Sequence, residues 1–162
     1  MTATAFNWRL AGMLAAGVVL LDQWSKAAVS AALHYGEAVA VTPFFNLVLV
    51  HNKGAAFSFL SGASGWQREF FIAITALAMT VIMWMMRRYR EEILFCWGLA
   101  SIAAGAVGNL IDRVRHGHVV DFLDFHIAGW HFWAFNLADS AITLGAGLLI
   151  LDSFRPRPSG TA

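Results

Sequence analysis

Long apolar stretches alternate with short polar segments along this chain. A helix needs about 20 mainly apolar residues to cross roughly 30 Å of hydrocarbon, and four stretches reach or approach that length. We therefore predict four membrane-spanning helices, at about residues 8–33, 70–86, 93–111 and 132–151.

The segment between the first two predicted helices, at about residues 34–69, has a different pattern. Pro43 precedes the β-prone run Phe44–Val50, and a turn-like Asn52-Lys53-Gly54 follows it. These features predict a small strand-containing cap that lies on the membrane surface.

The other two connections are predicted as loops, a short one at about residues 87–92 and a longer one at about residues 112–131. No internal repeat or linker divides the chain, and 162 residues suit a single domain. The predicted fold is thus an all-α membrane protein with one domain over residues 1–162, four transmembrane helices and a small β-containing cap between helices 1 and 2.

Composition supports a membrane protein and excludes some partners. Of the residues, 59% are hydrophobic and 13% are charged, against about 45–50% and about 25% in soluble domains. The formal net charge of +1 provides no broad basic surface, so we expect no nucleic-acid partner. The single cysteine, Cys96, excludes an intrachain disulfide and a cysteine-based metal cluster.

Basic residues predict the orientation of the helices, because cytoplasmic loops of membrane proteins carry an excess of Lys and Arg. The N-terminal segment, the 87–92 loop and the C-terminal tail are therefore predicted to be cytoplasmic, with the cap and the 112–131 loop outside. The basic residues on the predicted inner side are Arg9, Arg87, Arg88, Arg90, Arg155 and Arg157, and those outside are Lys53, Arg68, Arg113 and Arg115.

The first apolar stretch has a second interpretation. Arg9, an apolar core and the small residues at 27–32 also suit a secretory signal peptide. Cleavage of such a leader would leave three helices and would remove Asp22 and Lys26. The i,i+4 spacing of these two residues places them on one helix face as an ion pair.

Polar residues of the predicted helices gather at one depth. An Asp or Lys near the centre of a membrane helix costs about 2.5–3.5 kcal/mol, so such residues are candidates for function. In the predicted orientation, three helices place them near the outer surface, and the 112–131 loop returns over the same end. The sequence therefore predicts a site at the outer membrane interface. Its members are Asp22 and Lys26 of helix 1, Asn109, Asp112 and Arg113 of helix 3, Asp121 of the loop, and Asn136 and Asp139 of helix 4.

Spacing indicates which of these side chains share a helix face. Asn109 and Arg113 are i,i+4 neighbours, so they face one direction. Asn136 and Asp139 are i,i+3 neighbours and do the same. Asp112 points away from Arg113, and a helix-end ion pair or contact with lipid headgroups is the simplest structural interpretation of these two residues.

Asp121 and Asp139 suggest a pair of carboxyl groups. Two carboxyl groups held close together in a low-dielectric site share one proton, because both cannot ionise comfortably. One then acts as a base on water while the other hydrogen-bonds the carbonyl under attack. This chemistry suits peptide hydrolysis and needs neither a metal nor a nucleophilic side chain.

Two alternatives stay open on the residues alone. Imidazole and carboxylate groups at short spacing in the 112–131 loop suit a zinc site, although the chain has no HExxH motif. A small transporter or channel component would use the polar cluster as a proton or ion path, but the inner halves of the predicted helices offer little to continue it. The zinc candidates are His116, His118 and Asp121, with His126 and His131 nearby.

Five sequence blocks that contain most of the polar cluster are distributed over most of the chain. They are Asp22-Gln23-Trp24-Ser25-Lys26, Asn52-Lys53-Gly54-Ala55-Ala56-Phe57, Gly108-Asn109-Leu110-Ile111-Asp112-Arg113, Val119-Val120-Asp121-Phe122-Leu123-Asp124-Phe125 and Phe135-Asn136-Leu137-Ala138-Asp139-Ser140. In this order they resemble the lipoprotein signal peptidases of bacteria, also called signal peptidase II. The combination is far more specific than any single block.

The resemblance implies an aspartyl endopeptidase of the bacterial inner membrane, with four transmembrane helices and a periplasmic β-cradle. Such an enzyme removes signal peptides from prolipoproteins by cutting just before a cysteine that carries a diacylglyceryl group. The implied partners are these substrates and membrane lipids, with no cofactor, no metal and no implied oligomerisation. The family's catalytic pair falls on Asp121 and Asp139, which leaves Asp124 as a helper or a structural residue.

Other functional positions of the family fall on the cap and on helices 3 and 4. Arg113, Asn109 and Asn136 are expected to hold the substrate backbone and the carboxyl pair through directed hydrogen bonds. Asn52 and Gly54 belong to the cap, and Asn52 is expected to bring the cap over the cleft. The polar residues expected to be structural are Asp22, Lys26 and Asp112.

Overall fold

A computed structural model describes residues 6–54 and 66–155. These residues form four helices and a four-stranded antiparallel sheet with strand order β1-β2-β3-β4. The elements in chain order are α1 (Trp8–Ala32), β1 (Ala38–Thr42), β2 (Phe45–Asn52), α2 (Gln67–Arg88), α3 (Ile93–His116), β3 (Val119–Ile127), β4 (Trp130–His131) and α4 (Leu137–Ser153).

Helix α3 is the centre of the helical layer. It packs against α1, α2 and α4, and most extensively against α4. A buried apolar cluster that includes Phe6, Ile82 and Cys96 joins α1, α2 and α3 near the start of α3. The sheet lies at the other end of the bundle, because β3 follows directly after α3. The buried cluster at this end of the bundle is therefore apolar, whereas buried polar groups lie at the sheet end.

Glycine at the end of α3 turns the chain into the sheet. Gly117 has a φ of 76°, in the left-handed region that favours glycine at a helix C-terminus. Its backbone N–H donates to the Arg113 carbonyl. The chain then reverses into β3, which brings Asp121 back over the end of α3.

The close approach of α3 and α4 depends on residues without side chains. A Cβ atom at Gly145 would lie 2.5 Å from the Gly98 carbonyl oxygen and 2.9 Å from the Ile102 backbone nitrogen. A Cβ atom at Gly105 would collide with the Ala138 carbonyl. Small residues allow such backbone contact between helices in membranes, so glycine fixes the distance between α3 and α4.

Strands β2 and β3 form the central pair of the sheet. Their antiparallel register sets Asn52 opposite Val119 and Val50 opposite Asp121, with a register shift between Leu47 and Val50. This pairing carries the end of β2 to the same place as Asp121. The strand predicted over Phe44–Val50 is confirmed by β2.

Several predicted boundaries are wrong. The fourth helix begins at Leu137 and not at residue 132, because the Phe135 backbone is paired with Leu123 of β3 instead of being helical. The third helix continues past residue 111 to His116. The predicted loop at 112–131 is the last turn of α3 followed by β3 and β4.

The predicted fold class is also only partly correct. The protein is mostly helical, but the sheet is not confined to the segment between helices 1 and 2, since β3 and β4 follow α3. The physical reason is hydrogen bonding: β3 pairs the backbone groups of β2 that an isolated two-stranded cap would leave open. Residues 55–65 of the predicted cap lie outside the described residues.

Two of the described helices, α2 and α3, are long and apolar enough to cross a membrane by length and composition. Helix α4 has 17 residues, near the lower limit for a span. Helix α1 contains the buried charges Asp22 and Lys26, which lower its hydropathy. The four-span topology therefore stays a prediction.

We predict that Gly145→Ala destabilises the protein by about 1–3 kcal/mol, because the new methyl group has to displace the backbone of α3. Thermal unfolding of the purified protein in detergent measures the effect. The matched control is Gly147→Ala on the same helix, where a Cβ atom would meet nothing within 4 Å. Equal unfolding temperatures for the two variants would contradict the proposed backbone contact.

Candidate active site

Side chains from three helices, β2 and β3 and the backbone of the turn after β2 meet at the sheet end of the bundle. Every residue predicted for the site lies in the described part of the chain, and hydrogen bonds and ion pairs connect them all into one polar cluster. Its members are Asp22, Lys26, Asn52, Gly54, Asn109, Asp112, Arg113, Asp121, Asn136 and Asp139.

Asp121 enters the cluster from β3, between buried neighbours that hold its backbone in place. Its side chain is buried, and each carboxylate oxygen accepts a hydrogen bond from an amide. Asn136 Nδ2 donates to Oδ1 at 2.7 Å, and Asn52 Nδ2 donates to Oδ2 at 3.0 Å. Two different elements therefore position this one carboxyl group.

Asp139 enters from the first turn of α4. It forms a capping box with Asn136: the Asn136 side chain accepts from the Asp139 backbone N–H at 2.9 Å, and Asp139 Oδ2 accepts from the Asn136 backbone N–H at 3.2 Å. Asn109 Nδ2 donates to the other oxygen, Oδ1, at 2.8 Å. Asp139 is only partly buried, so the cluster opens to its surroundings on this side.

The two carboxyl groups are close enough to interact electrostatically. The pKa of Asp121 is raised from 3.8 to about 7, chiefly by burial and then by the charge of Asp139. The hydrogen bonds from Asn52 and Asn136 and the positive charge of Lys26 lower this pKa but do not cancel the rise. At neutral pH Asp121 is therefore near the midpoint of its titration, which allows the pair to hold a single proton.

A buried lysine sets the direction of the asparagine amides. Lys26 Nζ donates to Asn109 Oδ1 at 3.0 Å, so the Asn109 NH2 group points to Asp139. Asn136 Nδ2 also donates to Asn109 Oδ1, at 3.2 Å. Because an ammonium group has only donors, it excludes the flipped amide of Asn109. Lys26 thus directs a donor to one of the two carboxyl groups.

The charge of Lys26 is balanced by two buried carboxylates. Lys26 Nζ lies 2.9 Å from Asp22 Oδ2 and 2.9 Å from Asp112 Oδ2, and all three side chains are buried. Breaking a buried ion pair is costly because it leaves an uncompensated charge in a low-dielectric interior. The three groups therefore have to stay together.

The same carboxylates attach α1 to the other elements of the site. Asp22 Oδ1 accepts from the Ala138 backbone N–H at 2.9 Å, at the start of α4. Asp112 Oδ2 accepts from the Val120 backbone N–H at 3.1 Å, next to Asp121 in β3. Loss of α1 as a cleaved leader would leave Asp112 without Lys26, so the packing favours α1 as part of the folded protein.

Arg113 connects α3 to the turn that follows β2. Its guanidinium group donates to the Gly54 carbonyl at 2.9 Å and lies 4.9 Å from the centre of the Phe71 ring. The Gly54 backbone N–H in turn donates to Asn52 Oδ1 at 2.9 Å, so this turn also fixes Asn52. The suggested helix-end ion pair with Asp112 is wrong, because that carboxylate is directed to Lys26.

The histidines proposed as zinc ligands lie in two separate groups of neighbouring rings. His118 stacks on His51 with ring centres 4.0 Å apart, and His116 lies beside His118. Burial and the neighbouring histidines lower the pKa of His118. His131 bonds to Asp124 and stacks on His126 at the other end of β3. The described residues contain no group of three or more His, Cys, Asp or Glu side chains that is arranged to hold a metal ion.

Sequence reasoning missed the contribution of Gln23. Its Nε2 atom donates to Asp112 Oδ1 at 2.9 Å and to the Gly108 carbonyl at 3.2 Å, and so joins α1 to α3. The signal was its i,i+3 spacing from Lys26, which places both on one helix face. Asp124 is buried, and it accepts from Asn46 Nδ2 at 2.8 Å across the sheet.

We predict that removing the neighbouring charge in Asp139→Asn lowers the pKa of Asp121 from about 7, because ionisation no longer occurs beside a second carboxylate. Removing a hydrogen-bond donor to the carboxylate in Asn52→Ala should have the opposite effect and raise this pKa. Infrared difference spectroscopy of the protein with isotope-labelled aspartate measures both shifts. A wild-type midpoint near 3.8 would contradict the burial of this carboxyl group.

Comparison with known proteins identifies relatives of the chain. A family model described as signal peptidase (SPase) II matches residues 14–155. A lipoprotein signal peptidase of Janthinobacterium sp. (strain Marseille) is 56% identical over 142 residues, which are 88% of this chain and 86% of that protein. A lipoprotein signal peptidase of Burkholderia vietnamiensis (strain G4 / LMG 22486) is 58% identical over 144 residues, which are 89% of this chain and 86% of that protein.

The fold is similar to that of a solved protein as well. A bacterial membrane enzyme, whose structure was determined by the in meso method at 2.3 Å resolution, superimposes with a TM-score of 0.85. The two chains are 30% identical, and the match covers 98% of each. The mostly helical architecture with its small antiparallel sheet is therefore that of a membrane enzyme.

Proposed function

This chain belongs to the signal peptidase II family of proteases, and we propose that it removes signal peptides from diacylglyceryl-modified prolipoproteins by cutting just before the lipidated cysteine. The name that its relatives share supports a lipoprotein substrate. The observation that carries the chemistry is the convergence of Asp121 and Asp139, each on a different element and each held by asparagine amides.

In the proposed mechanism the two carboxyl groups share one proton and bind a water molecule between them. The ionised carboxylate removes a proton from this water while its oxygen attacks the carbonyl carbon of the scissile peptide. The protonated carboxyl donates a hydrogen bond to the carbonyl oxygen as negative charge develops there. The carboxyl group that took the proton from water then gives it to the leaving nitrogen, and the C–N bond breaks without a covalent enzyme intermediate.

The other polar residues support this step by holding the reacting groups. Asn109, Asn136 and Asn52 keep the carboxyl groups in fixed rotamers, which is the condition for precise proton transfer. Arg113 lies beside the open side of the site, where its spare N–H groups suit the carbonyl groups of a substrate backbone. Gly54, which already accepts from Arg113, marks the edge of the cap next to this position.

The position of the site suits a substrate that arrives from the bilayer. We place the polar cluster at the periplasmic face of the bacterial inner membrane, with four membrane-spanning helices and both termini in the cytoplasm. A cysteine that carries two acyl chains stays in the membrane, so it reaches the partly exposed Asp139 laterally. The transporter alternative lacks a path, because the described polar cluster stays at one end of the bundle.

We predict that Asp121→Asn and Asp139→Asn each reduce the cleavage rate by at least about 100-fold, because general acid–base catalysis contributes about 10²–10⁴-fold. Cleavage of a diacylglyceryl-modified prolipoprotein by purified protein in detergent measures the effect. Thermal unfolding confirms that each variant is folded. A near-wild-type rate for either variant would show that catalysis does not depend on this pair of carboxyl groups.

The matched control for these variants is Asp124→Asn, on the same strand as Asp121. Asp124 is bonded to Asn46 and His131 and not to the pair, so this variant should retain much of the activity. A chelator should leave the wild-type rate unchanged. A rate that is lost with chelator and restored by zinc would favour a metal site instead.

We predict that a reporter enzyme fused after Pro158 stays in the cytoplasm, because the basic residues of the tail oppose export. A second fusion, after Lys53 at the end of β2, should instead be exported to the periplasm. Activity of a reporter that works in only one compartment distinguishes the two sides. Export of the C-terminal fusion would overturn the proposed orientation.

A further inference from the structure

A groove separates α1 from α2 in the half of the bundle away from Asp121 and Asp139. Both helices pack on α3, but they make little contact with each other. The space between them is a cavity of about 580 Å³, within the range of about 300–1,000 Å³ that is typical of small-molecule sites. Ala100 and Ala104 of α3 form its floor, and Ala16 and Met83 belong to its walls. We call this cavity the α1–α2 groove.

The protein's own side chains do not fill the α1–α2 groove. Gly12 lines it, and a Cβ atom at this position would meet nothing within 4 Å. The lining residues are apolar, with methionines on the α2 wall and mostly small residues on the α1 wall. Methionine side chains adapt to a flexible apolar partner. The shape and chemistry of the groove therefore suit an extended hydrocarbon chain.

Two arginines lie at the level of one end of the groove. Trp8 and Met86 line the groove at this end, and each is followed in the sequence by an arginine, Arg9 and Arg87. Arg87 also lines an adjoining pocket that shares two methionines with the groove. Within the described part of the chain, the ion pairs involve neither arginine. A basic pocket between membrane helices is a typical binding site for an anionic lipid headgroup.

We propose that the α1–α2 groove binds an anionic phospholipid, with an acyl chain in the cavity and the phosphate beside Arg9 and Arg87. Charge decides against the apolar helix of a substrate signal peptide as the occupant. Signal peptides carry a positive segment before their apolar region, and a basic groove end repels it. The phospholipid site is separate from the carboxyl pair, so it stands whether or not the proposed peptidase reaction is correct.

Native mass spectrometry of the full chain in detergent tests the lipid site. The probes are phosphatidylglycerol and phosphatidylcholine with identical oleoyl chains. We expect the anionic lipid to bind at least about fivefold more tightly, since one arginine near an anionic lipid contributes about this factor. Arg87→Gln should reduce the preference for the anionic lipid by about fivefold. Arg155→Gln, just after α4, should keep the wild-type preference. Equal binding of the two lipids would overturn the proposal.

A pair of glycine variants tests the groove itself. Gly12→Leu fills the cavity and should reduce binding of phosphatidylglycerol at least about fivefold. Gly17→Leu on the same helix is the control, because Gly17 has equally open surroundings but does not line the groove. Thermal unfolding verifies that both variants fold. Equal lipid binding by the two variants, or displacement of the lipid by a signal peptide with a basic N-terminus, would contradict the proposal.

Discussion

The buried ammonium group of Lys26 is the constraint on which the rest of the site depends. A charge in an apolar interior has to be paired and hydrogen-bonded, and Lys26 meets that requirement with Asp22 and Asp112. Each of these carboxylates also accepts a backbone N–H, Asp22 from α4 and Asp112 from β3. The need to neutralise one lysine therefore fixes the relative positions of α1, α3, α4 and the sheet.

The polar groups of the site form two sets, the lysine cluster of Lys26, Asp22 and Asp112 and the carboxyl pair of Asp121 and Asp139. The charges of the lysine cluster are fully buried, whereas Asp139 is partly exposed and Asp121 lies just behind it. Asparagine amides connect the two sets, so the lysine cluster orients the carboxyl pair without contacting it. An arrangement of this kind keeps two like-charged groups close together, which is unfavourable in itself and useful for sharing a proton.

Much of this site is predictable from the sequence because charged residues in apolar helices are costly and have to find each other. The spacing of Asp22 and Lys26 predicted their ion pair, and helix direction predicted that α1, α3 and α4 would place polar groups at one end. The sheet was harder to predict, because pairing of β2 with β3 joins residues about 70 positions apart. The start of α4 was predicted too early because the residues just before Asn136 are apolar, like those of the helix. The backbone of Phe135 is instead paired with β3.

The most direct test of the proposed function is the mass of the two products formed from a prolipoprotein substrate. Purified protein is incubated with a diacylglyceryl-modified precursor and, separately, with the same precursor without lipid. We expect one cut, just before the lipidated cysteine, with both products carrying free termini and no product covalently attached to the enzyme. Equal cleavage of the unmodified precursor, a cut at another bond or a covalent adduct would contradict the proposed function.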